Sequence, residues 1–371
     1  MTTEVLSDRE LGRATLTRQG LLERQSWSVV ETVTRLVGLQ SQIPDDPYVA
    51  LWSRLDGFTP DQLADPLVAR ELVRIVVLRG TIHLLTADDA LALRPLAQPV
   101  LDREMRNHGQ FKAALAATDA TPVVAAMREV LATEPLSTNR LRAAIAERFP
   151  DVDAAAMALA CRNHLALVQV PPRGVWGQSL AVTLTPLETW VGREQTEDPS
   201  IDELLLRLIG AFGPLAVGDL ATLTALTGLR EVVDRLRPRL RTFRNERGQE
   251  LFDLPDAPRP DPDTPAPARF LPTYDDVVLG DPPRFVDDGL RHALWHATGT
   301  VLGTVWHDGR VVGSWTVDRP KDASPTLVIN HRGPIAKAVR TAVEREGIAL
   351  LTFLEDGRAP TTAVHFTRID A

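Results

Sequence analysis

Gln40 and Gln42 flank Ser41 in the segment Arg35-Leu-Val-Gly-Leu-Gln-Ser-Gln-Ile-Pro44. Each side-chain amide offers an acceptor oxygen and a donor NH2 that stay neutral, so the pair can hold a polar ligand without titrating. The same two residues also suit the end of a helix, where unsatisfied backbone groups need partners. His83 is a second candidate. In Arg79-Gly-Thr-Ile-His-Leu-Leu85, strand alternation puts Thr81 and His83 on one face and Ile82 and Leu84 on the other. A lone strand histidine is equally suited to a buried structural role.

Other groupings carry less chemistry. Asp275-Asp276 has the form of paired carboxylates, and also of a turn ahead of Val277-Val-Leu279. His292 and His296 are four apart, as two zinc ligands on a helix would be, but no third ligand lies near in sequence. Arg235, Arg237, Arg239, Arg241, Arg244 and Arg247 crowd one stretch, which reads as a nucleic-acid surface or as a solvated helix face. Cys161 stands alone, which excludes an intrachain disulfide, and its apolar neighbours fit a buried small residue. Walker A, dinucleotide, Gly-x-Ser-x-Gly and His-Glu-x-x-His motifs are missing, so phosphoryl transfer, hydride transfer and triad hydrolysis lose their usual signals.

The elements that must position these residues follow from periodicity. Ser7 with Glu10 and Ser28 with Glu31 form capping-box patterns, and Val29, Val30, Val33, Leu36 and Val37 recur at helical spacing up to Pro44. This places Gln40 and Gln42 in the last turn of the second helix. A third helix is expected over 59–72, and Arg79-Gly80 joins two β-rich runs, 74–78 and 81–85, as a hairpin. Three helices and a hairpin make a winged-helix pattern. It recurs over 122–184, with strands at 166–170 and 180–184 around Pro171-Pro-Arg-Gly174, and again over 202–254. Pro255 to Pro272 is proline-studded and reads as an extended linker. Beyond it come short strands near 301–306, 311–315, 326–330 and 363–367 and one helix over 335–346. The expected class is α+β: winged-helix units at 1–115, 116–198 and 199–256, then a linker and β-rich, barrel-like domain at 257–371.

Composition sets outer limits. The 371 residues are 44% hydrophobic, enough for several cores, and the net charge of −8 argues against a uniformly basic surface. No apolar run approaches the roughly 18 residues of a membrane span, and Met1-Thr-Thr-Glu4 lacks a signal pattern, so the expected compartment is the cytoplasm.

Several separate segments resemble one family. Gly38 to Pro44, Pro47-Tyr48 with Leu51-Trp-Ser-Arg-Leu55, Leu78 to Leu84, Gln169-Val-Pro-Pro-Arg-Gly-Val-Trp176, Leu251 to Pro258 and Phe270-Leu-Pro-Thr-Tyr-Asp275 are similar to those of the AlkZ-like bacterial DNA glycosylases, over nearly the whole chain. The resemblance implies tandem winged-helix units and excision of alkylated bases, including bulky antibiotic adducts and interstrand crosslinks. It therefore allows an antibiotic self-resistance role. It puts the family's Gln-aliphatic-Gln motif on Gln40 and Gln42 as catalytic residues, and the family's Thr-x-His on Thr81 and His83. Ser41 departs from the aliphatic middle residue, and Asp276 stands where many members have Asn.

On this reading the chemistry suits neutral side chains. An N7-alkylated purine is already cationic and leaves without protonation, so two amide oxygens suffice to orient water and stabilise the oxocarbenium ion. With lysines only at 112, 321 and 337, a Schiff-base lyase step is not expected. The expected partner is double-stranded DNA carrying alkylated bases, bound by a monomer without metal or cofactor. Arg79, Arg173, Arg237, Arg241 and Arg244, with Thr81 and His83, are the expected DNA or lesion contacts. The alternative is a winged-helix regulator without catalysis, which needs no particular residue at Gln40 and Gln42.

Overall fold

The computed structural model of the protein describes residues 4–178, 181–280, 282–295, 302–321, 323–358 and 364–369. The chain opens with β1 (Val5–Leu6) and α1 (Asp8–Arg18). The Ser7–Glu10 capping box closes in both directions, with Ser7 N–H donating to Glu10 Oε2 at 2.7 Å. Next come α2 (Val29–Arg35), β2 (Leu39–Gln40), α3 (Asp46–Arg54), α4 (Asp61–Val68), β3 (Leu72–Val76) and β4 (Ile82–Thr86). Ser28 caps α2, accepting from Glu31 N–H at 3.1 Å.

Helix α2 does not reach the glutamines. Val37 and Gly38 both take left-handed backbone, with φ of 59° and 98°, and Gly38 N–H closes back on Val33 O. A β-carbon on Gly38 would lie 2.5 Å from Leu85 Cδ2, so glycine permits this reversal where another residue would collide. The chain leaves it as a strand, which corrects the expectation that Gln40 and Gln42 lie in the last helical turn.

Helices α5 (Ala87–Leu93), α6 (Gln98–Asn107) and α7 (Lys112–Ala117), unmarked in the sequence reading, lead into α8 (Thr121–Thr133). Then follow β5 (Leu136–Ser137), α9 (Thr138–Arg148), α10 (Ala154–His164), β6 (Leu167–Gln169) and β7 (Thr183–Pro186). The expected strand 180–184 begins at Leu180, which lies outside the described residues. The two hairpin units share one sheet of order β2-β4-β3-β6-β7-β5, joined where Arg74 and Ile75 of β3 pair with Gln169 and Val168 of β6. Because β3 and β6 are antiparallel, the loops 77–81 and 170–182 leave opposite ends of this sheet.

One face of the sheet, with Leu39, Leu72 and Leu84, packs on Val29, Val33, Tyr48, Leu51, Leu63 and Leu67 from α2, α3 and α4. The other face, with Val73, Ile75, Leu85 and Val168, packs on α12 (Ile201–Phe212), which follows α11 (Leu187–Val191). The second unit has its own core around Met127, Leu131, Leu141, Ile145, Met157 and Cys161. Burial pushes the Cys161 thiol up to about 12, which leaves it inert.

Beyond α12, α13 (Val217–Thr224) and α14 (Leu229–Leu236) precede the hairpin β8 (Arg241–Asn245) and β9 (Glu250–Asp253). β1 pairs in parallel with β8, and Arg18 of α1 binds buried Asp253 through two hydrogen bonds of 2.7 and 2.8 Å. The N-terminal helix thus packs with the third unit. The proline-rich segment is pinned along the same helix: Arg9 donates to Pro262 O, Arg13 to Thr264 O and Arg18 to Pro258 O. It is a strap held at three points, and its carbonyls satisfy arginines at helical spacing.

The last unit comprises β10 (Arg269–Leu271), α15 (Asp276–Gly280), α16 (Pro282–Phe285), α17 (Asp288–Trp295), β11 (Gly303–His307), β12 (Arg310–Asp318), β13 (Thr326–His331), α18 (Lys337–Leu354) and β14 (Val364–Arg368). Its sheet runs β10-β11-β12-β13-β14 and is open, with β10 and β14 at its edges. This corrects the barrel-like expectation. β13 and β14 pair in parallel, which requires the crossover helix α18, and α18 packs on Phe270, Leu327 and Ile329 instead of leaving the sheet to close on itself.

Candidate active site

Strand pairing brings the first candidates together. Gln40 of β2 lies directly across from His83 of β4, and Ser41 N–H donates to Ile82 O at 2.7 Å, which extends the pairing by one residue. Alternation then decides which way each side chain goes. Gln40 shares a face with His83, and Ser41 turns to the opposite face, where it is fully buried.

Ser41 has a specific partner there. Arg74 Nε donates to Ser41 Oγ at 2.8 Å and Arg74 Nη2 donates to Ser41 O at 2.7 Å, while its Nη1 donates to Gln169 Oε1 at 2.8 Å. An aliphatic side chain at 41 would leave Arg74 Nε without this acceptor, while the backbone carbonyl would still accept from Nη2. Burial, with Arg173 nearby, lowers Arg74 to about 10, which still leaves it charged at neutral pH. Gly174 lets the 171–178 loop close on it, since a β-carbon would lie 2.8 Å from Arg74 Cδ. Tyr48 OH fixes the same loop, donating to Gly174 O at 2.9 Å and accepting from Trp176 N–H at 3.0 Å. Arg173 thus lies near Arg74, at the end of the sheet away from Arg79.

On the other face, Gln40 is 7% exposed and enclosed by charge. Arg79 Nη2 donates to Gln40 Oε1 at 2.5 Å and to Asp276 Oδ1 at 2.5 Å, and Gln40 N–H donates to Asp276 Oδ2 at 3.3 Å. Arg79 Nη1 reaches Leu223 O at 2.9 Å. His83 Nδ1 is 3.0 Å from Thr81 O, which places its proton there and leaves Nε2 to accept from Arg79 Nη2 at 3.4 Å. Burial pushes His83 down to about 4; Asp276 partly opposes this and Arg79 adds to it. The imidazole is therefore neutral at physiological pH. Thr81 spends its hydroxyl on Leu78 O inside the hairpin loop. Gln42, in contrast, is exposed, with Oε1 3.4 Å from Ile82 N–H. The two amides thus differ: one is fixed and covered, the other reaches solvent.

Asp276 was legible only as half of a turn. Its neighbour Asp275 does shape that turn, accepting from Val277 N–H at 3.2 Å, and it also binds Arg54 through two hydrogen bonds of 2.9 Å, with both side chains almost fully buried. Arg54 continues to Gln19 Oε1, and Gln19 to Ala211 O. This chain ties α3, α1 and α12 to the 272–276 segment and so fixes Asp276 beside Gln40. A small cavity under the site is lined by Gln19, Gly38, Gln40, Arg54, Tyr274 and Asp276.

Asp46, the first residue of α3, sits 7% exposed with Oδ2 lacking a partner. Burial, opposed by the backbone of Thr273 and Tyr274 and reinforced by Asp275 and Asp45, pushes its carboxyl up to about 7. A raised folded-state pKa for an acid costs stability as pH rises from the ordinary carboxylate range through 7, and costs nothing below it. Asp46→Asn should therefore raise stability at pH 8 by up to about 4 kcal/mol, at about 1.4 kcal/mol per unit, and leave it unchanged near pH 3. Urea unfolding at both pH values checks this; equal gains at both would show that ionisation is not the cause.

The arginine run is elsewhere. Arg235 pairs with Asp202, Arg237 with Asp234 and Glu250, and Arg241 with Glu4, while Arg244 donates to Gly248 O. These exposed residues lie on and around the separate sheet of β1, β8 and β9. His292 lies on α17, and His296 lies outside the described residues. Among the described residues no group of three His, Cys, Asp or Glu side chains is placed to hold a metal ion. No described helix is long and apolar enough to cross a membrane.

This architecture is similar to that of a solved DNA glycosylase. It superposes on Streptomyces sahachiroi DNA glycosylase AlkZ with a TM-score of 0.78, covering 98% of this chain and 100% of that chain at 20% identity. No curated protein matches the sequence. Residues 33–353 match the family described as DNA glycosylase AlkZ-like, and the chain belongs to that family. It is accordingly a DNA glycosylase of DNA repair, and DNA is its substrate.

Proposed function

We propose that the protein is a monofunctional glycosylase that hydrolyses the N-glycosidic bond of cationic alkylated purines in duplex DNA, with Gln40 and Gln42 as its catalytic residues. The observation that supports this most directly is the placement of Gln40: a neutral amide fixed on a strand, beside a neutral imidazole and a carboxylate held by arginine. No group there is poised to protonate a leaving base. A base that already carries positive charge needs no proton. The C1′–N bond breaks with its electron pair going to the purine, which neutralises the alkylated ring. Water then forms the C1′–O bond and loses a proton to solvent. Amide oxygens beside C1′ stabilise the oxocarbenium charge and hold that water.

Exposed Gln42 at the rim supports an open site that admits bulky adducts or crosslinked bases, which a snug pocket would refuse. The three helix–hairpin units, read as winged helices, hold the duplex. Arg237, Arg241 and Arg244 reach phosphate by exchanging their present partners, since exposed ion pairs are worth at most about 1 kcal/mol. The reaction needs neither metal nor cofactor.

Incubation with a duplex containing N7-methylguanine, followed by alkaline cleavage, is expected to reveal abasic sites, unchanged by EDTA and without a borohydride-trapped adduct. A trapped protein–DNA adduct would assign a lyase instead, and no release from any alkylated duplex would remove the proposed lesion class.

A further inference from the structure

Arg79 occupies the space beside Gln40 and Asp276 that a lesion base would enter on the reading above. Its guanidinium donates to Gln40 Oε1 and Asp276 Oδ1, so in this form the amide oxygen already has a cationic partner. The Arg79 side chain is 15% exposed and that of Asp276 12%, which puts most of the pair out of solvent. Arg79 also holds a left-handed backbone, φ 57°, at the hairpin loop, a strain of about 1 kcal/mol or more that persists only where contacts over-determine it.

Displacing Arg79 would leave the Asp276 carboxylate, 12% exposed, without its ion-pair partner. The other groups around it are weak partners: His83, with Nε2 3.9 Å away, is held neutral chiefly by burial, and Gln40 N–H supplies a single long hydrogen bond. Removing one partner from a buried ion pair is costly unless another charge takes its place. A purine carrying positive charge supplies that replacement, and a neutral purine does not.

We propose that Arg79 and Asp276 are specificity-determining residues: Arg79 is a resident cation on Asp276 and Gln40, and its exchange for a cationic base selects charged lesions over neutral ones. This rests on the glycosylase reading above and deepens it. It also gives Asp276 a role that an asparagine there would perform poorly, since an amide holds neither cation strongly.

The test compares binding of two duplexes, one with N7-methylguanine and one with its neutral isostere 7-methyl-7-deazaguanine, both on 2′-fluoro sugars that block hydrolysis. Wild type is expected to prefer the cation by on the order of tenfold. Asp276→Asn, which is isosteric, brings the ratio close to one. Arg79→Gln, which leaves Asp276 without its cation, raises affinity for the charged duplex and widens the ratio. Binding to undamaged duplex controls for folding, and the two variants act independently, so misfolding of one leaves the other to decide. A wild-type ratio near one, or a ratio unchanged in the folded variants, overturns the proposal. Because these duplexes are not cleaved, charge preference without base release elsewhere would sink the excision reading and keep the exchange. Base release without charge preference would do the reverse.

Discussion

Gln40→Ala lowers the single-turnover rate of N7-methylguanine release by about 10²–10³-fold while affinity for the duplex stays near that of wild type, the expected cost of removing one preorganised transition-state acceptor. Gln40 is held in register against His83, its backbone N–H is taken by Asp276, and its side chain is set in a cluster closed to bulk water. An alanine there keeps the strand and removes only the amide. Gln42→Ala is expected to lower the same rate, with a greater effect on affinity for bulky adducts, because this residue lies exposed at the rim. Gln40→Glu separates geometry from charge. It preserves the acceptor and adds a carboxylate beside Asp276 that Arg79 alone must neutralise, so it should bind cationic lesions without restoring the full rate. A Gln40→Ala enzyme with a wild-type rate would remove Gln40 from the chemistry.

Asp275→Ala is the second large effect, and it concerns stability. Arg54 would remain as a buried charge without its carboxylate, at 1% exposure, and the loss expected for breaking such a pair is about 3–5 kcal/mol. Because Asp275 positions the residue that follows it, the variant should also lose charge discrimination at Asp276. Replacing both partners with apolar residues, Arg54→Met with Asp275→Leu, is expected to recover much of the stability, since neither charge then needs burial. Urea unfolding of the single and double variants separates these outcomes. A single variant as stable as wild type would show that the pair does not hold the 272–276 segment.

Much of this was legible locally. The capping boxes, the hairpin at Arg79-Gly80, helices such as α1, α2, α4, α8, α10, α12 and α14, and the strands of the last unit after β10 follow from residue periodicity, because caps, turns and amphipathic faces are short-range properties. The departure at Ser41 was legible as well, though not its reason. Arg74, 33 residues later, needs an acceptor at that position, and only the sheet register shows it. Asp276 was misread for the same cause. Its turn-forming neighbour gave a local signal, whereas its contacts with Arg79 and Gln40 span 197 and 236 residues.

The sequence by itself determined that two amides and a histidine occur in segments shared by one glycosylase family, and that no complete metal or nucleotide motif competes with them. Tertiary structure decided the rest. It moved Gln40 from a helix end to a strand and Gln42 to the exposed bend just past it, because Val37 and Gly38 reverse the chain against Leu85. It fused two hairpins into one sheet, and it brought a carboxylate from the last unit onto Gln40. Hydrogen-bond register and the pairing of buried charges are long-range constraints, set by which elements meet, and no spacing along the chain encodes them.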